Sequence, residues 1–309
     1  MGENIKAFLG AEPARHLDML SQPEFARVSE IRLRANKPMI IKIDGQDMFT
    51  GEFCPSGKDF YPSSGDIRET MERISQYSLY AFEAELSMGY ITLPGGHRVG
   101  VSGQTVIENG VVRAFRHISG LNIRIAHNVL GCADVVLPHI LEKGNLLHTM
   151  IISPPGYGKT TLLRDIIRRI SDGKTIICKG LTVGLADERS EVAGCFRGIA
   201  QNDVGIRTDV LDGCPKALAM EMLLRAMSPD VIAADELGGE ADARAADAII
   251  NAGVKLLCTA HGRDLSDVME NPSLSTVMAR GIFERFIVLD KPGQVKGVFN
   301  NKGEPVFSR

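Results

Sequence analysis

Residues 150–170 read MIISPPGYGKTTLLRDIIRRI, and this stretch decides the fold. The apolar run at 150–152 predicts a short strand, and a loop rich in proline and glycine follows it. Beyond the loop, apolar residues recur at helical spacing from Leu162 to Ile170, which predicts an amphipathic helix. A strand, a tight glycine loop and a helix, in that order, are the context of a phosphate-binding P-loop.

The loop carries the residue types that a P-loop uses to hold a nucleotide. Backbone N–H groups of residues 156–160 would point into a hollow at the helix N-terminus, where the helix dipole favours anions. Lys159 would reach the β- and γ-phosphates, and the Thr160 hydroxyl would bind Mg²⁺. The predicted nucleotide-binding residues are Ser153, Pro154, Pro155, Gly156, Tyr157, Gly158, Lys159, Thr160 and Thr161.

Ser153 departs from the motif G-x-x-x-x-G-K-[ST], which has glycine at its first position. This position lies at the end of the strand, away from the phosphate cradle, so we expect the departure to have little effect. The alternative interpretation is a proline-glycine turn before an ordinary helix. The Gly-Lys-Thr sequence, with a predicted strand before the loop and a predicted helix after it, argues against that alternative.

The composition is that of an ordinary globular protein. The 309 residues are 44% hydrophobic and 24% charged, which leaves room for one large domain or two. The net charge of −3 argues against nucleic-acid binding by bulk electrostatics. Six scattered cysteines without a C-x-x-C pair predict buried or incidental thiols in a reducing compartment. With no apolar stretch of membrane-spanning length and no signal-peptide pattern, we expect a cytosolic protein.

Residues 1–135 predict one α+β domain. Alternation over residues 28–34 predicts a strand, and Asn109-Gly110 between two apolar runs predicts a tight hairpin turn. Apolar spacing over residues 66–87 predicts one helix or two. A connecting helix is expected over residues 132–143.

Residues 136–309 alternate strands with helices, which predicts a parallel sheet. After the P-loop helix, strands are predicted at residues 175–177, 182–186, 231–234 and 255–259. Helices are predicted at residues 215–227, 241–252 and 265–280, and a closing hairpin at 283–289 and 294–307. The stretch 194–213 is the longest one without clear periodicity.

A pair of acids follows the predicted strand at residues 231–234. Hydrolysis needs a second carboxylate site that assists Mg²⁺ and polarises the attacking water. Asp235 would assist the metal, and Glu236 would act as general base or would position the water. The alternative is a strand that merely ends in a solvated acidic turn.

Two further candidate residues follow other predicted strands. Glu188, in the sequence DERSE at residues 187–191, would lie at the C-terminal edge of the sheet, where ligands of open α/β sheets gather. It is a candidate second catalytic or water-orienting acid, and a solvated charged turn is the alternative. His261 would lie near the γ-phosphate as a sensor, and a structural histidine is the alternative.

An arginine from a neighbouring subunit can neutralise transition-state charge when subunits assemble with a site at their interface. The sequence assigns this role to no single residue. The candidates are Arg98, Arg116, Arg124, Arg189, Arg197 and Arg207.

Several blocks together resemble one family, the stage III sporulation protein AA family of endospore-forming bacteria. The blocks are GHRVGVSG (96–103), RHISGLNIRIA (116–126), SPPGYGKTTLLRD (153–165), DERSEVAG (187–194), QNDVGIRTDVLDGCPKA (201–217) and TAHG (259–262). The resemblance covers roughly residues 25–290, and the DERSE and NDVGIRTDVLDGCPK blocks are far more specific than the P-loop.

The resemblance implies a fold. Members resemble the ATPases of type II and type IV secretion systems, in which an N-terminal domain is joined to a RecA-like ATPase core. Such ATPases usually work as hexameric rings. We therefore expect an α/β fold with a RecA-like P-loop ATPase domain at residues 136–309 and an N-terminal α+β domain at residues 1–135.

The resemblance also implies roles for the residues. In the family's scheme, residues 153–160 match Walker A and Asp235-Glu236 match Walker B. Residues 187–188 match the acidic box between them, and His261 matches the histidine box.

The implied function is a Mg²⁺-dependent ATPase that energises a channel between mother cell and forespore. It would act from the mother-cell cytoplasm, at the membrane only through membrane-protein partners. The choice of ATP over GTP as the nucleotide rests on the resemblance, because the sequence shows no motif that would recognise the base. Two alternatives stay open: a nucleotide-binding scaffold without turnover, against which Glu236 argues, and a nucleic-acid-stimulated ATPase, against which the balanced charge argues.

Overall fold

The computed structural model describes residues 2–78, 82–127, 129–173, 179–270, 272, 274, 278 and 281–308. The chain divides into two compact units, Met1–His127 and Asn128–Arg309. The domains at 1–135 and 136–309 stay a prediction. Within the described ranges, no helix combines the length and the apolar character needed to cross a membrane.

The first unit is built on one antiparallel sheet. Its strands are β1 (Val28–Arg34), β2 (Ile40–Ile43), β3 (Gln46–Phe49), β4 (Tyr90–Thr92), β5 (Arg98–Glu108) and β6 (Val111–Arg124), in the order β3-β2-β1-β6-β5-β4. Its α-helices are α1 (Ala11–Leu17), α2 (Gln22–Phe25), α3 (Ser64–Ile74) and α4 (Glu83–Ser87). The predicted strand at residues 28–34 is therefore confirmed, and the helical pattern at 66–87 belongs to two helices.

A hairpin turn joins β5 and β6 where the sequence predicts one. Asn109 has a φ of +52° and Gly110 a φ of +78°. Positive φ at both central residues is the geometry of a type I′ turn, whose twist matches that of the flanking strands. Asn and Gly tolerate this conformation better than other residues, and the local sequence alone is therefore enough to place the turn.

The second unit is built on an eight-stranded sheet. Its strands are β9 (Thr149–Ser153), β10 (Val183–Asp187), β11 (Thr208–Asp212), β12 (Val231–Ala234), β13 (Lys255–His261), β14 (Arg285–Lys291), β15 (Gln294–Asn300) and β16 (Pro305–Ser308). Its α-helices are α5 (Leu137–Ile140), α6 (Lys159–Asp172), α7 (Lys216–Ala226), α8 (Glu240–Asn251) and α9 (Leu265–Met269). A small separate hairpin consists of β7 (Leu141–Glu142) and β8 (Asn145–Leu146).

The large sheet has the order β11-β10-β12-β13-β9-β14-β15-β16. Neighbours from β11 to β14 pair in parallel, and β15 and β16 pair antiparallel. The predicted parallel sheet and closing hairpin are confirmed. The strand predicted at 175–177 lies outside the described residues, as does much of the helix predicted at 265–280.

One prediction about the second unit is wrong in detail, and one strand was not predicted. The connecting helix expected over residues 132–143 is a single turn, Leu137–Ile140, in which Pro138 occupies an early position. The stretch without periodicity contains strand β11, at the edge of the sheet beside β10. All five residues of β11 are half-buried or exposed, so its apolar pattern is weak and gives little signal.

Both faces of the large sheet are covered, and alternate strand residues therefore belong to different cores. Ile151 packs in one apolar cluster with Leu163 and Ile167 of α6. Met150 packs in the other with Leu223 of α7. Burial of each such side chain contributes about 1.5–3 kcal/mol to the free energy of unfolding. This packing holds α6, the helix after the P-loop, on one face of the sheet. It holds α7 and α8 on the other face.

Candidate active site at the carboxyl edge of the sheet

The ends of four strands bring the predicted site residues to one edge of the sheet. β9 ends at Ser153, β10 at Asp187 and β13 at His261, and β12 ends one residue before Asp235. These strands are parallel, so their carboxyl ends lie along the same edge, where open α/β sheets bind ligands. His261 is in register with Ser153 of the adjacent strand, which brings the histidine beside the start of the P-loop.

The loop before α6 is a glycine turn at the N-terminus of that helix. Gly156 has a φ of +79° and Gly158 a φ of +92°, conformations that cost glycine little. Gly158 is the N-cap, and the helix begins at Lys159. The first N–H groups of a helix have no intrahelical partner and lie at the positive end of its dipole. The loop therefore has the backbone geometry of an anion-binding site.

Ser153, which replaces the glycine of the motif, is buried at the end of β9. Its hydroxyl donates a hydrogen bond of 2.9 Å to the carbonyl of Pro154. The hydroxyl that Ser153 adds at the end of the strand is therefore buried with a hydrogen-bond partner.

A chain of polar contacts joins the P-loop lysine to the acid after β12. Lys159 Nζ lies 2.9 Å from His261 Nδ1, and His261 Nε2 lies 2.8 Å from Glu236 Oε2. The ammonium also lies 3.3 Å from Nε2, so it faces both ring nitrogens. A carboxylate only accepts, so Nε2–H donates to Glu236.

Lys159 is the most enclosed member of this chain of contacts. Its side chain is 10% exposed, against 38% for Glu236, and its Nζ lies 3.9 Å from Glu236 Oε2. Burial lowers the pKa of Lys159, and the carboxylates of Glu236 and Asp235 oppose that effect. A buried ammonium beside a glycine loop is a strong electrostatic partner for a phosphate group.

Thr259 of β13 orients both acids that follow β12. The buried Thr259 hydroxyl donates to Asp235 Oδ1 at 3.1 Å and accepts from the Glu236 N–H at 3.1 Å. The Leu237 N–H donates to the Thr259 carbonyl at 2.9 Å. One fully buried side chain therefore fixes the turn that carries the acidic pair.

The two acids of the DERSE block have different environments. Asp187 is fully buried, and its carboxylate accepts hydrogen bonds from the N–H groups of Glu191, Val192 and Ala193 at 2.8–3.3 Å. Burial raises the pKa of Asp187 to about 6, although the three N–H donors favour the charged form. Asp187 is thus the internal anchor of the loop, whereas Glu188 faces a cavity.

That cavity of about 180 Å³ opens beside the acidic pair. It is lined by Glu188, Arg189, Glu191, Lys216, Asp235, Glu236, Gly238 and Asp242. The lining brings together residues from the loop after β10, the turn after β12 and the starts of α7 and α8. Glu188 and Glu236, predicted separately, therefore belong to one site.

A family model described as sporulation stage III, protein AA matches residues 2–306. The chain belongs to this family. The stage III sporulation protein AA of Bacillus subtilis (strain 168) is 40% identical over 296 residues, which cover 95% of this chain and 93% of that protein. The family predicted from the sequence blocks is confirmed.

Solved structures of ATPases share the fold. The Legionella pneumophila ATPase DotB matches with a TM-score of 0.54 and 16% identity, over 89% of this chain and 75% of DotB. The pilus retraction motor PilT, solved with bound ADP, matches with a TM-score of 0.52 and 17% identity, over 84% and 74%. The fold of this family member is thus α/β with a RecA-like P-loop core, and the predicted fold class is confirmed.

The hydrogen-bond donors and carboxylates at this edge of the sheet are of the kinds that bind a nucleotide with Mg²⁺. The glycine loop and Lys159 offer hydrogen-bond donors and positive charge, and Asp235 offers an oriented carboxylate. Among the described residues, no three His, Cys, Asp or Glu side chains are grouped to hold a metal ion by themselves. Mg²⁺ in nucleotide sites is bound through one or two carboxylates together with substrate phosphates, and Asp235 and Glu236 offer carboxylates at this edge of the sheet.

For several of the predicted site residues, no contact described above tests the predicted role. Thr160 is the second residue of α6 and half-buried, and its part in binding Mg²⁺ stays a prediction. Of the candidate arginines, Arg207 donates to the carbonyls of Ser171 and Asp172 at the end of α6. Arg98 lies 3.6 Å from the centre of the Tyr90 ring. These two side chains already have structural partners within the chain.

Sequence reasoning missed three residues that shape the site. Thr259 and Lys216 contact the acidic pair, and Arg164 of α6 donates to the carbonyls of Val192 at 2.6 Å and Glu191 at 2.8 Å. All three lie inside the sequence blocks that carry the family resemblance. That resemblance is the one feature of the sequence that indicates these residues.

Replacing Asp187 with asparagine is expected to lower the free energy of unfolding by about 3 kcal/mol. An amide NH₂ would face buried N–H donors, which would lose an acceptor oxygen. The measurement is urea denaturation at about pH 5, below the folded pKa of about 6, where removal of a buried charge does not offset this loss. Asp290→Asn, at an exposed position of β14, is the matched control and should leave stability unchanged. Equal stability of the two variants would contradict the anchoring role.

Proposed function

We propose that this chain is a Mg²⁺-dependent ATPase. The observation that carries the proposal is the continuous contact from Lys159 through His261 to Glu236 at the carboxyl edge of a parallel sheet. A phosphate-binding cation and a water-activating acid need to act on one phosphoryl group, and a single histidine links them here. The RecA-like fold shared with known ATPases supports the same proposal.

In the proposed site, the backbone of residues 153–161 and Lys159 bind the nucleotide phosphates. Thr160 and Asp235 bind the metal, with Asp235 held in place by the Thr259 hydroxyl. Mg²⁺, when bound, neutralises charge on the β- and γ-phosphates. Positioning and electrostatic stabilisation are the main contributions that a protein makes to phosphoryl transfer, and a buried lysine and an oriented carboxylate provide both.

Glu236 is the proposed base or water-positioning residue, with Glu188 as a second acid across the cavity. His261 is the proposed sensor of the γ-phosphate. A phosphate that engages Lys159 would compete with His261 Nδ1 for the ammonium. The imidazole would then change its hydrogen bond to Glu236, so that the state of the phosphate would be transmitted to the acid.

For the biological role, we propose that the ATPase energises a channel between mother cell and forespore during sporulation. Membership of the sporulation family supports the setting, and the shared fold with a pilus retraction motor supports coupling of hydrolysis to mechanical work. The proposed assembly is a homo-oligomer, a hexameric ring. It would be cytoplasmic, in the mother cell, and would reach the membrane through membrane proteins of the channel complex. The net charge of −3 is consistent with no direct nucleic-acid partner.

ATP turnover per subunit is expected to rise with protein concentration, because an arginine from a neighbour would complete each site. The measurement is phosphate release from Mg²⁺-ATP over a range of protein concentrations, with and without added DNA or RNA. Nucleic acid should leave the rate unchanged.

Three other outcomes would separate the alternatives. A constant, measurable turnover per subunit would contradict the assembled ring while keeping the ATPase. Stimulation by DNA or RNA would favour the nucleic-acid-dependent ATPase. Nucleotide binding without any turnover, with membrane partners also present, would favour the scaffold.

A further inference from the structure

Lys216 is a half-buried cation that lines the acidic cavity. Its side chain is 11% exposed, and its Nζ lies 3.7 Å from Glu188 Oε2 and 3.7 Å from Asp242 Oδ2. The same ammonium donates a hydrogen bond to the main-chain carbonyl of Glu236. Lys216 therefore joins the loop after β10, the turn after β12 and the start of α8.

The local structure alone disfavours a lysine at this position. Lys216 is the first residue of α7, and the N-cap, Pro215, provides no side-chain hydrogen bond. The N-terminus of a helix carries partial positive charge, so a cation there is unfavourable. No acidic residue stands in the first turn of α7 to compensate. Residues that break a local rule in this way are found mainly where tertiary contacts or function require them.

The contact with Glu236 has a consequence for the direction of its carboxylate. The N–H of Glu236 is fixed by Thr259 at 3.1 Å, and its carbonyl is fixed by Lys216. Both polar groups of the residue's backbone are therefore held, and its side chain leaves toward His261 and Lys159. Without the ammonium, the Glu236 carbonyl would lose this partner, and the peptide that follows Glu236 would be held only by the contact of the Leu237 N–H with Thr259.

We propose that Lys216 is a positioning residue, which holds the main chain of Glu236 so that the carboxylate is aligned for catalysis. It also neutralises Glu188 and Asp242 beside the reacting groups. This inference rests on the proposed ATPase function. Lys216 acts through Glu236 and not on the nucleotide, so its loss affects the chemical step and leaves nucleotide binding unchanged.

Lys216→Met tests the inference, because methionine keeps most of the stem and removes the ammonium. A misalignment of about 1 Å at a reacting group costs about a hundredfold in rate, and we expect kcat to fall about ten- to hundredfold. KM for ATP should stay unchanged, and equilibrium titration should show ATP bound with unchanged affinity and an unchanged number of sites per chain. A loss of folded protein would instead lower that number of sites together with the apparent kcat. Lys216→Arg keeps a cation and should recover part of the rate.

Arg225→Met is the matched control on the same helix. Arg225 pairs with Glu221 on the surface, with its side chain 78% exposed, and its removal should change neither kcat nor KM. If Lys216→Met does not fold, as judged by its thermal unfolding, Lys216→Gln is the second variant, with the same loss of kcat expected.

Two results would overturn the inference. Unchanged kcat in folded Lys216→Met, while the unsubstituted protein turns over ATP, would overturn the positioning role and leave the ATPase proposal standing. A rise in KM at constant kcat would do the same, since it would place Lys216 in nucleotide binding. Absence of turnover in the unsubstituted protein would instead overturn the ATPase proposal itself, and the inference with it.

Discussion

Replacing Lys159 with methionine is expected to weaken ATP binding about ten- to hundredfold, because a charge-assisted hydrogen bond to a phosphate is worth about 1.5–3 kcal/mol. The substitution also removes the group that His261 Nδ1 contacts and breaks the link to Glu236. Turnover should therefore be lost together with binding. Isothermal titration with ATP, followed by phosphate release, measures both effects.

Lys255→Met is the control for that substitution. Lys255 begins β13, the strand that ends at His261, and its Nζ lies 3.0 Å from Glu284 Oε2 at the opposite edge of the sheet. Removal of this lysine breaks a comparable ion pair far from the nucleotide. ATP binding that is weakened equally by both substitutions would contradict a phosphate contact at Lys159.

Replacing Glu236 with glutamine is expected to separate binding from chemistry. A positioned general base contributes about a hundredfold to ten-thousandfold in rate, and glutamine cannot accept a proton from water. The amide keeps nearly the same shape and can still accept a hydrogen bond from His261 Nε2–H through its carbonyl. We therefore expect ATP binding to be retained and turnover to fall by that factor, measured by titration and by single-turnover phosphate release.

Glu284→Gln is the matched control for this substitution. Glu284 is also paired with a lysine and accepts the His148 N–H at 2.8 Å, but it lies at the other edge of the sheet. Its replacement should lower stability somewhat and leave kcat unchanged. A loss of ATP binding in Glu236→Gln would mean that the acid holds the nucleotide rather than activating water.

The features predicted best from the sequence are those whose cause is local. The stretch at 150–170 predicts strand, loop and helix because the glycine turn and the apolar spacing act within a few residues. Asn109-Gly110 predicts its hairpin for the same reason, since both residues tolerate positive φ. The alternation of strands and helices predicts the parallel sheet, and with it the edge at which Glu236 and His261 meet.

Residues that act through distant contacts were missed. Lys216 and Glu236 are twenty positions apart in the chain, and only the packing of α7 on the sheet brings them into contact. Thr259 is an ordinary strand residue by its sequence, and its role depends on the neighbouring strand β12. No periodicity or motif describes such pairs, because they depend on tertiary structure.

The two adjacent acids of the DERSE block have different environments and therefore different roles. Strand β10 ends at Asp187, whose side chain is buried under the loop and accepts its N–H groups, whereas Glu188 is half-exposed toward Lys216. The family resemblance matches the pair to one acidic box, and of the two acids only Glu188, the candidate named from the sequence, lines the cavity.

The most direct test of the central claim compares phosphate release from Mg²⁺-ATP by the unsubstituted protein and by Glu236→Gln, at saturating nucleotide and the same high protein concentration. The ATPase predicted here releases phosphate in multiple turnovers, while the variant binds ATP equally well and releases almost none. Equal rates for the two proteins would contradict the role of Glu236, and the absence of release from both would contradict ATP hydrolysis by this chain.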